Sequence, residues 1–227
     1  MKNTILVIVF ISLFTFSCKG DKKADKTETT KTEVKTEVKK DVVKEVKPNE
    51  VSYTFNKDAF TFNVTGYGAK DKSYVVSNIT FKKFDIKSKG QLLGTTLSFD
   101  PLSIDTSKDM NNGQGGEWPA AFAAVRNGNI TNGFFNNLAK KGNVTAEVVA
   151  VNAKDVDVKV TLNGVSKTVK MVYSIDDKGM LSAKGKIDLL DFSASDAFKK
   201  FEEVCTAAFH QGKTWSEIGL NFTLKTK

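Results

Sequence analysis

Val156-Asp-Val158-Lys-Val160-Thr-Leu162 runs directly into Asn163-Gly164 and out again into Val165–Ile175. Strict apolar–polar alternation is the pattern of a half-buried strand, whose side chains point to opposite faces at every step. Asn-Gly between two such runs supplies the positive φ angles that a type I′ turn needs, and that turn matches the twist of paired strands. The stretch is therefore an antiparallel hairpin, and the rest of the chain has to build on it. Phe60-Thr-Phe62-Asn-Val64-Thr repeats the alternation, and further strands are expected at Tyr74–Ile86, Gln91–Phe99, Val144–Asn152, Met180–Leu190 and Glu217–Lys225. Successive strands with short connections make an up-and-down meander of about eight strands, and such sheets avoid open edges by closing into a barrel. The expected class is all-β, an antiparallel β-barrel with one covering α-helix and a short helical loop.

Two segments interrupt the strands. Asp109–Phe135 contains Gly113, Gly115 and Gly116, then Trp118-Pro119 and an alanine run. Pro119 suits a first helical turn and Ala120–Val125 a short helix. In the second, Ser193–Gln211, Phe198, Phe201, Val204, Cys205 and Phe209 recur at helical spacing, with Ser193 or Ser195 available as a cap and Gly212 as the stop.

The start of the chain has a different character. Lys2 precedes an apolar run from Ile5 to Phe16, which meets Ser17-Cys18. That order is the signature of a secretory signal peptide, and the run is shorter than the ~20 residues that span a bilayer. Cys18 stands at the cleavage point and resembles the lipobox cysteine of bacterial lipoproteins, although Thr15 occupies a place where that pattern prefers Leu. Lys19–Glu50 is nearly all Lys, Thr, Glu, Asp and Val and holds no aromatic residue. Such a segment buries too little apolar surface to offset its ordering entropy. The expected organisation is a signal peptide over 1–17, a lipidated Cys18 with a charged tether over 18–50, and one domain over 51–227, exported and held at the periplasm or outer membrane.

A net charge of +8 raises the question of nucleic acid, yet the only arginine in the chain is Arg126. Base reading and bidentate phosphate clamping favour Arg over Lys, so no nucleic-acid partner is expected. Cys205 is the one cysteine left in the domain and His210 the one histidine. Their offset of five does not place them on one helix face, so they read as a buried structural Cys and a surface His. No metal-ligand cluster, phosphate loop or serine elbow is legible. The expectation is no catalytic residue, no metal and no cofactor.

In this setting the domain resembles the YceI-like family of lipocalin-like barrels. Phe81-Lys-Lys-Phe84, Ser103-Ile-Asp-Thr106, the stretch Arg126-Asn127…Ile130…Phe134-Phe135, the hairpin Thr161–Val169, Ile187–Phe192 and Trp215-Ser-Glu-Ile218 carry the likeness in order. A longer loop separates Thr106 from Arg126 than the family usually has, and Gly66-Tyr67 replaces a frequent family His. The resemblance implies a binding protein for polyisoprenoid lipids, not an enzyme.

An eight-stranded barrel is wide enough to be filled by side chains or to hold one slender ligand. Phe60, Phe62, Phe81, Val158 and Val160 point inward by alternation, as do Val169, Met171, Leu189 and Phe222. Either they pack the interior solid or they line a tunnel; the resemblance implies the tunnel and adds Phe134 and Phe135. Arg126 is expected at the mouth, paired with Asp105 or with a ligand head. The expected partners are an isoprenoid or other long-chain lipid, and a membrane reached through the N-terminal anchor. The alternative is a structural or protein-binding envelope domain with a filled barrel.

Overall fold

A computed structural model describes residues 53–108, 121–205 and 210–227. The signal peptide, Cys18, the tether, the glycines at 113–116, Trp118-Pro119 and Phe209 lie outside these residues. Ten strands form one antiparallel sheet: β1 Thr61–Gly68, β2 Tyr74–Phe81, β3 Phe84–Lys87, β4 Thr96–Phe99, β5 Ile104–Asp105, β6 Val144–Val151, β7 Asp155–Leu162, β8 Val165–Ile175, β9 Met180–Asp188 and β10 Glu217–Lys225. From β6 to β10 each strand pairs with the next, and β10 returns to β1 with Phe62 opposite Phe222.

The ends of this ribbon are one piece of chain. Only Lys82 and Lys83 separate β2 from β3, and the turn Pro101–Ser103 separates β4 from β5. Across the kink Lys82 N donates to Ser103 O (2.9 Å) and Asp100 N to Lys83 O (2.9 Å), so the two bent arms stay paired. Taken as bent arms, β2–β3 and β4–β5 reduce the ten strands to the eight of a closed meander. The pairing of β1 with β2 begins only at Val64. Beside Thr61–Asn63 the wall is completed by rings: Phe62 lies 5.3 Å from Phe99 and 5.6 Å from Phe84, and Phe81 stacks 4.1 Å from Phe99. Aromatic pairs of this kind add about 0.5–1.5 kcal/mol beyond their burial.

The hairpin matches its sequence pattern. Val158 pairs with Val169 and Leu162 with Val165, and Asn163 and Gly164 have φ of 52° and 76°. Elsewhere the elements differ from expectation. The run over Tyr74–Ile86 breaks at Lys82-Lys83, and the strand expected from Gln91 begins at Thr96, because 91–94 turn back to bring Thr95 N onto Leu92 O (3.1 Å). The strand expected to reach Leu190 stops at Asp188, whose carboxylate accepts from Leu190 N and starts a 3-10 turn over Leu189–Phe192.

The two α-helices and the turns next to them gather at one end. Helix α1 spans Ala121–Gly128, beyond the expected Val125, and passes into a π-helical segment Asn129–Phe134 and a 3-10 turn Phe135–Asn137. Helix α2 is Ser195–Val204, much shorter than Ser193–Gln211. Neither serine caps it: Ser193 is left-handed (φ 53°), Ser195 is already inside the helix, and Ala194 stands at the N-cap. Helix α2 lies close on the π segment. A Cβ on Gly133 would sit 2.7 Å from Val204 Cγ2 and 3.1 Å from Phe201 Cα, so glycine is what permits the contact. Asn163 ties this cap to the hairpin, accepting from Lys140 N (2.8 Å) and donating to Phe192 O (3.1 Å) and Ser193 O (2.9 Å).

At the opposite end residues 53–60 cross the barrel as a strap. Thr54 bridges to Gln91 and Phe55 to Thr226, Leu92 N donates to Tyr53 O (3.0 Å), and the Tyr53 and Tyr173 hydroxyls meet at 2.7 Å. No helix among the described residues is long and apolar enough to cross a membrane.

Candidate ligand cavity

The inward faces of the strands do not fill the barrel. They enclose a cavity of about 240 Å³ whose lining is overwhelmingly apolar. Its length can be followed along β10, where Ile218, Leu220, Phe222 and Leu224 all face it. That is roughly 20 Å of strand at about 3.3 Å per residue. A volume this small, spread over that length, is a slot one chain wide. The filled-barrel alternative is therefore not the observed arrangement.

Local chemistry explains why the slot stays open. On β9 the inward positions shrink, with Ala183 buried and Gly185 next to it. A Cβ on Gly185 would lie 2.8 Å from Met171 Cγ, so the glycine lets Met171 lie across that wall. Two strands along the sheet, Val158, Val160 and Leu162 of β7 offer short branched side chains.

Of the residues expected to meet a ligand, Phe60, Phe62, Phe81, Phe134, Phe135 and Val158 face the cavity. Val160, Met171, Leu189, Phe222 and Arg126 face it too. Val169 does not. It is buried in the core around the cavity, paired with Val158, and serves as packing. Phe60 contributes from the turn before β1 and stacks 6.0 Å from Phe222.

Arg126 departs from expectation in its partner. Its Nε donates to Thr106 Oγ1 (3.3 Å) and its Nη2 to Thr106 O (3.0 Å). Asp105 instead accepts from Ser107 N (2.9 Å) and lies 3.5 Å from Lys82 Nζ. The Ser107 hydrogen bonds, with help from Lys82, hold its carboxyl below the usual aspartate range. The reason is the period of two: Ile104 and Thr106 point inward, Asp105 outward, and an arginine approaching from the cap meets the inward pair.

His210 is not a surface residue. It is half-buried at the cap end and lines the cavity together with Cys205, Thr214 and Trp215. Its ring lies 4.5 Å from that of Tyr74, tilted by 39°, and its Nδ1 is 3.2 Å from Thr214 Oγ1. Burial lowers its proton affinity below the ordinary histidine value. Cys205 is half-buried beside it, and burial pushes its thiol up to about 11, against the opposing Thr214 hydrogen bond and with a smaller push from Glu202. Both shifts run opposite to what an activated thiolate–imidazolium pair requires. Of the two, His210 is the one misjudged from sequence, because its ring packs against Tyr74 and Gly68, contacts that helical spacing does not report. Among the described residues no group of three or more His, Cys, Asp or Glu could hold a metal.

No protein-family model matches the sequence, and no curated protein sequence matches it. Solved structures do. A polyisoprenoid binding domain from Saccharophagus degradans, implicated in plant cell wall breakdown, is 15% identical over 76% of this chain and 95% of that one, with a TM-score of 0.48. Two mutants of the CJ YCEI protein, one with a monobromobimane guest, are 16% identical over 66% of this chain and 84% of theirs, with a TM-score of 0.40. The chain is similar to YceI-type domains in its barrel.

Proposed function

We propose that this domain binds one slender apolar chain, of isoprenoid type, inside the barrel, and holds or carries it at a bacterial envelope membrane to which an acylated Cys18 tethers it. The observation that carries this reading is the narrow apolar slot running from Phe55, Leu92 and Leu224 at the strap to Phe134, Phe201 and His210 at the cap. Chain lipid gains about 25 cal/mol per Å² on leaving water. It comes from a membrane, however, and membrane and slot are both apolar. The exchange is then close to balanced, as a carrier requires, and selectivity rests on fit and on the polar end. The shifted Cys205 and His210 support binding over catalysis.

Organic extraction of the purified domain followed by mass spectrometry should recover a chain lipid, and added polyprenol should bind to the emptied protein. Val158→Trp, which plugs the slot midway, should abolish binding while leaving the circular dichroism of the sheet intact. No recovered lipid, together with no binding of added polyprenol, would overturn the proposal. For the tether, an azido-fatty-acid label should appear on the full-length protein in cells and vanish in Cys18→Ala; equal labelling of both would remove the anchor.

A further inference from the structure

Several hydrogen-bonding side chains line the cavity at its cap end, and most of their polar atoms are engaged by the protein itself. Arg126 is directed at Thr106 through Nε and Nη2. Asn129 Nδ2 donates to Val204 O (3.4 Å), and Trp215 Nε1 donates to Ala69 O (2.7 Å). Thr214 Oγ1 is taken up with His210 Nδ1. The imidazole itself is held firmly: it lies against Tyr74 and over Gly68, where a Cβ would be 2.6 Å from Nδ1. Its Nε2 makes no hydrogen bond with any described residue, and deeper in the barrel Asn221 Oδ1 is likewise buried without a partner.

Charge at this end is arranged away from the slot. Lys72 Nζ stands 4.5 Å and Lys213 Nζ 5.2 Å from the centroid of the Trp215 ring, and Lys72 is bonded to Glu217 at 2.7 Å. Among the described residues Arg126 is the one Lys or Arg that lines the cavity. An anionic head drawn in here would give up its water, and two of the guanidinium nitrogens, Nε and Nη2, are already committed to Thr106.

We infer that His210 Nε2 is the hydrogen-bonding point for the head of the bound chain, and that this head is uncharged, a hydroxyl or a carbonyl, not a diphosphate. The inference rests on reading the barrel as a lipid carrier. Burial of the imidazole agrees with it, because a neutral ring is the one suited to an uncharged partner.

The test is displacement of the fluorescent apolar probe N-phenyl-1-naphthylamine from the purified domain by geranylgeraniol or by geranylgeranyl diphosphate. The alcohol should bind at least tenfold more tightly. His210→Leu should weaken the alcohol about tenfold more than it weakens the probe, the scale of one lost hydrogen bond, and His210→Gln should recover most of that difference. Equal or tighter binding of the diphosphate, or an alcohol affinity indifferent to His210→Leu, would overturn the inference while leaving the carrier reading standing. Failure of the probe and both chains to bind would overturn that reading as well. If His210→Leu does not fold, the alcohol-to-diphosphate ratio on the unaltered protein still decides the matter.

Discussion

The two ends of the barrel are closed by different means. At the strap end a short extended segment lies across the opening, and its inward contacts, Phe55 and Leu92, are apolar and buried. Its polar atoms are satisfied locally, by the Tyr53–Tyr173 pair and by Tyr173 OH donating to Asn152 O (2.8 Å). At the cap end helical turns and a loop bring Arg126, Cys205, His210 and Thr214 to the cavity. A closed apolar end can only receive the tail of a chain, whereas an end that carries donors and acceptors can hold its head. The difference gives the slot a direction that the symmetry of a meander does not supply.

The strap end is where substitution should cost most. Leu92 is 1% exposed and joins the strap to the 91–95 turn. Leu92→Ala should lose about 2–5 kcal/mol of unfolding free energy in urea, the range for a buried leucine cut back to alanine. A loss below about 1 kcal/mol would mean that this end collapses readily, and the contrast with the cap would fail.

Cys205 sharpens the other side of the comparison. With its thiol at about 11 instead of the ordinary 9.0, it carries about 100-fold less thiolate at pH 8 than an ordinary cysteine. Alkylation by iodoacetamide at that pH should be slower by about that factor than in the urea-unfolded protein, and it should quicken as the pH is raised toward 11. Equal rates in folded and unfolded protein would place the thiol in solvent, not at the cavity.

Much of the barrel was legible in the chain because its walls are built from local alternation. Asn163-Gly164 and the runs around it predict the hairpin residue by residue, since turn and strands agree. The bend of β2 left a trace as well. Val76 and Ile79 are both buried but three apart, a spacing that a regular strand cannot bury on one face. The extra residue is accommodated at a bulge, where Asn78 takes φ 54°. The inward residues on strands were found by the same counting, Val169 excepted, because facing inward does not decide whether a side chain meets the cavity or a neighbour. The cap was less readable. Its helices are short, α2 lacks a side-chain cap, and the places of Arg126 and His210 depend on Thr106, Gly68 and Tyr74, which are remote in sequence. Period and propensity do not report such tertiary pairings.

The smallest expected effect is also the cleanest probe of the cap. His210 is the only histidine in the sequence. No other side chain of ordinary pKa changes charge between pH 7.5 and 5.5, so any stability slope in that interval has few competing sources. Burial depresses the folded-state proton affinity below the ordinary histidine value of 6.5, which the unfolded chain regains. Just below 6.5 the unfolded state therefore binds more protons than the folded state, and stability must fall as the pH drops. The contribution is complete above 6.5 and is lost toward the folded value. Asp105 and Glu217, whose carboxyls are held below their usual range, act at more acidic pH and leave the interval clear. Urea unfolding at pH 7.5, 6.5 and 5.5 should show the unaltered domain losing stability relative to His210→Gln across this window. Parallel curves for the two proteins would mean that the imidazole is as well solvated folded as unfolded, and the cap end would then be no drier than the surface.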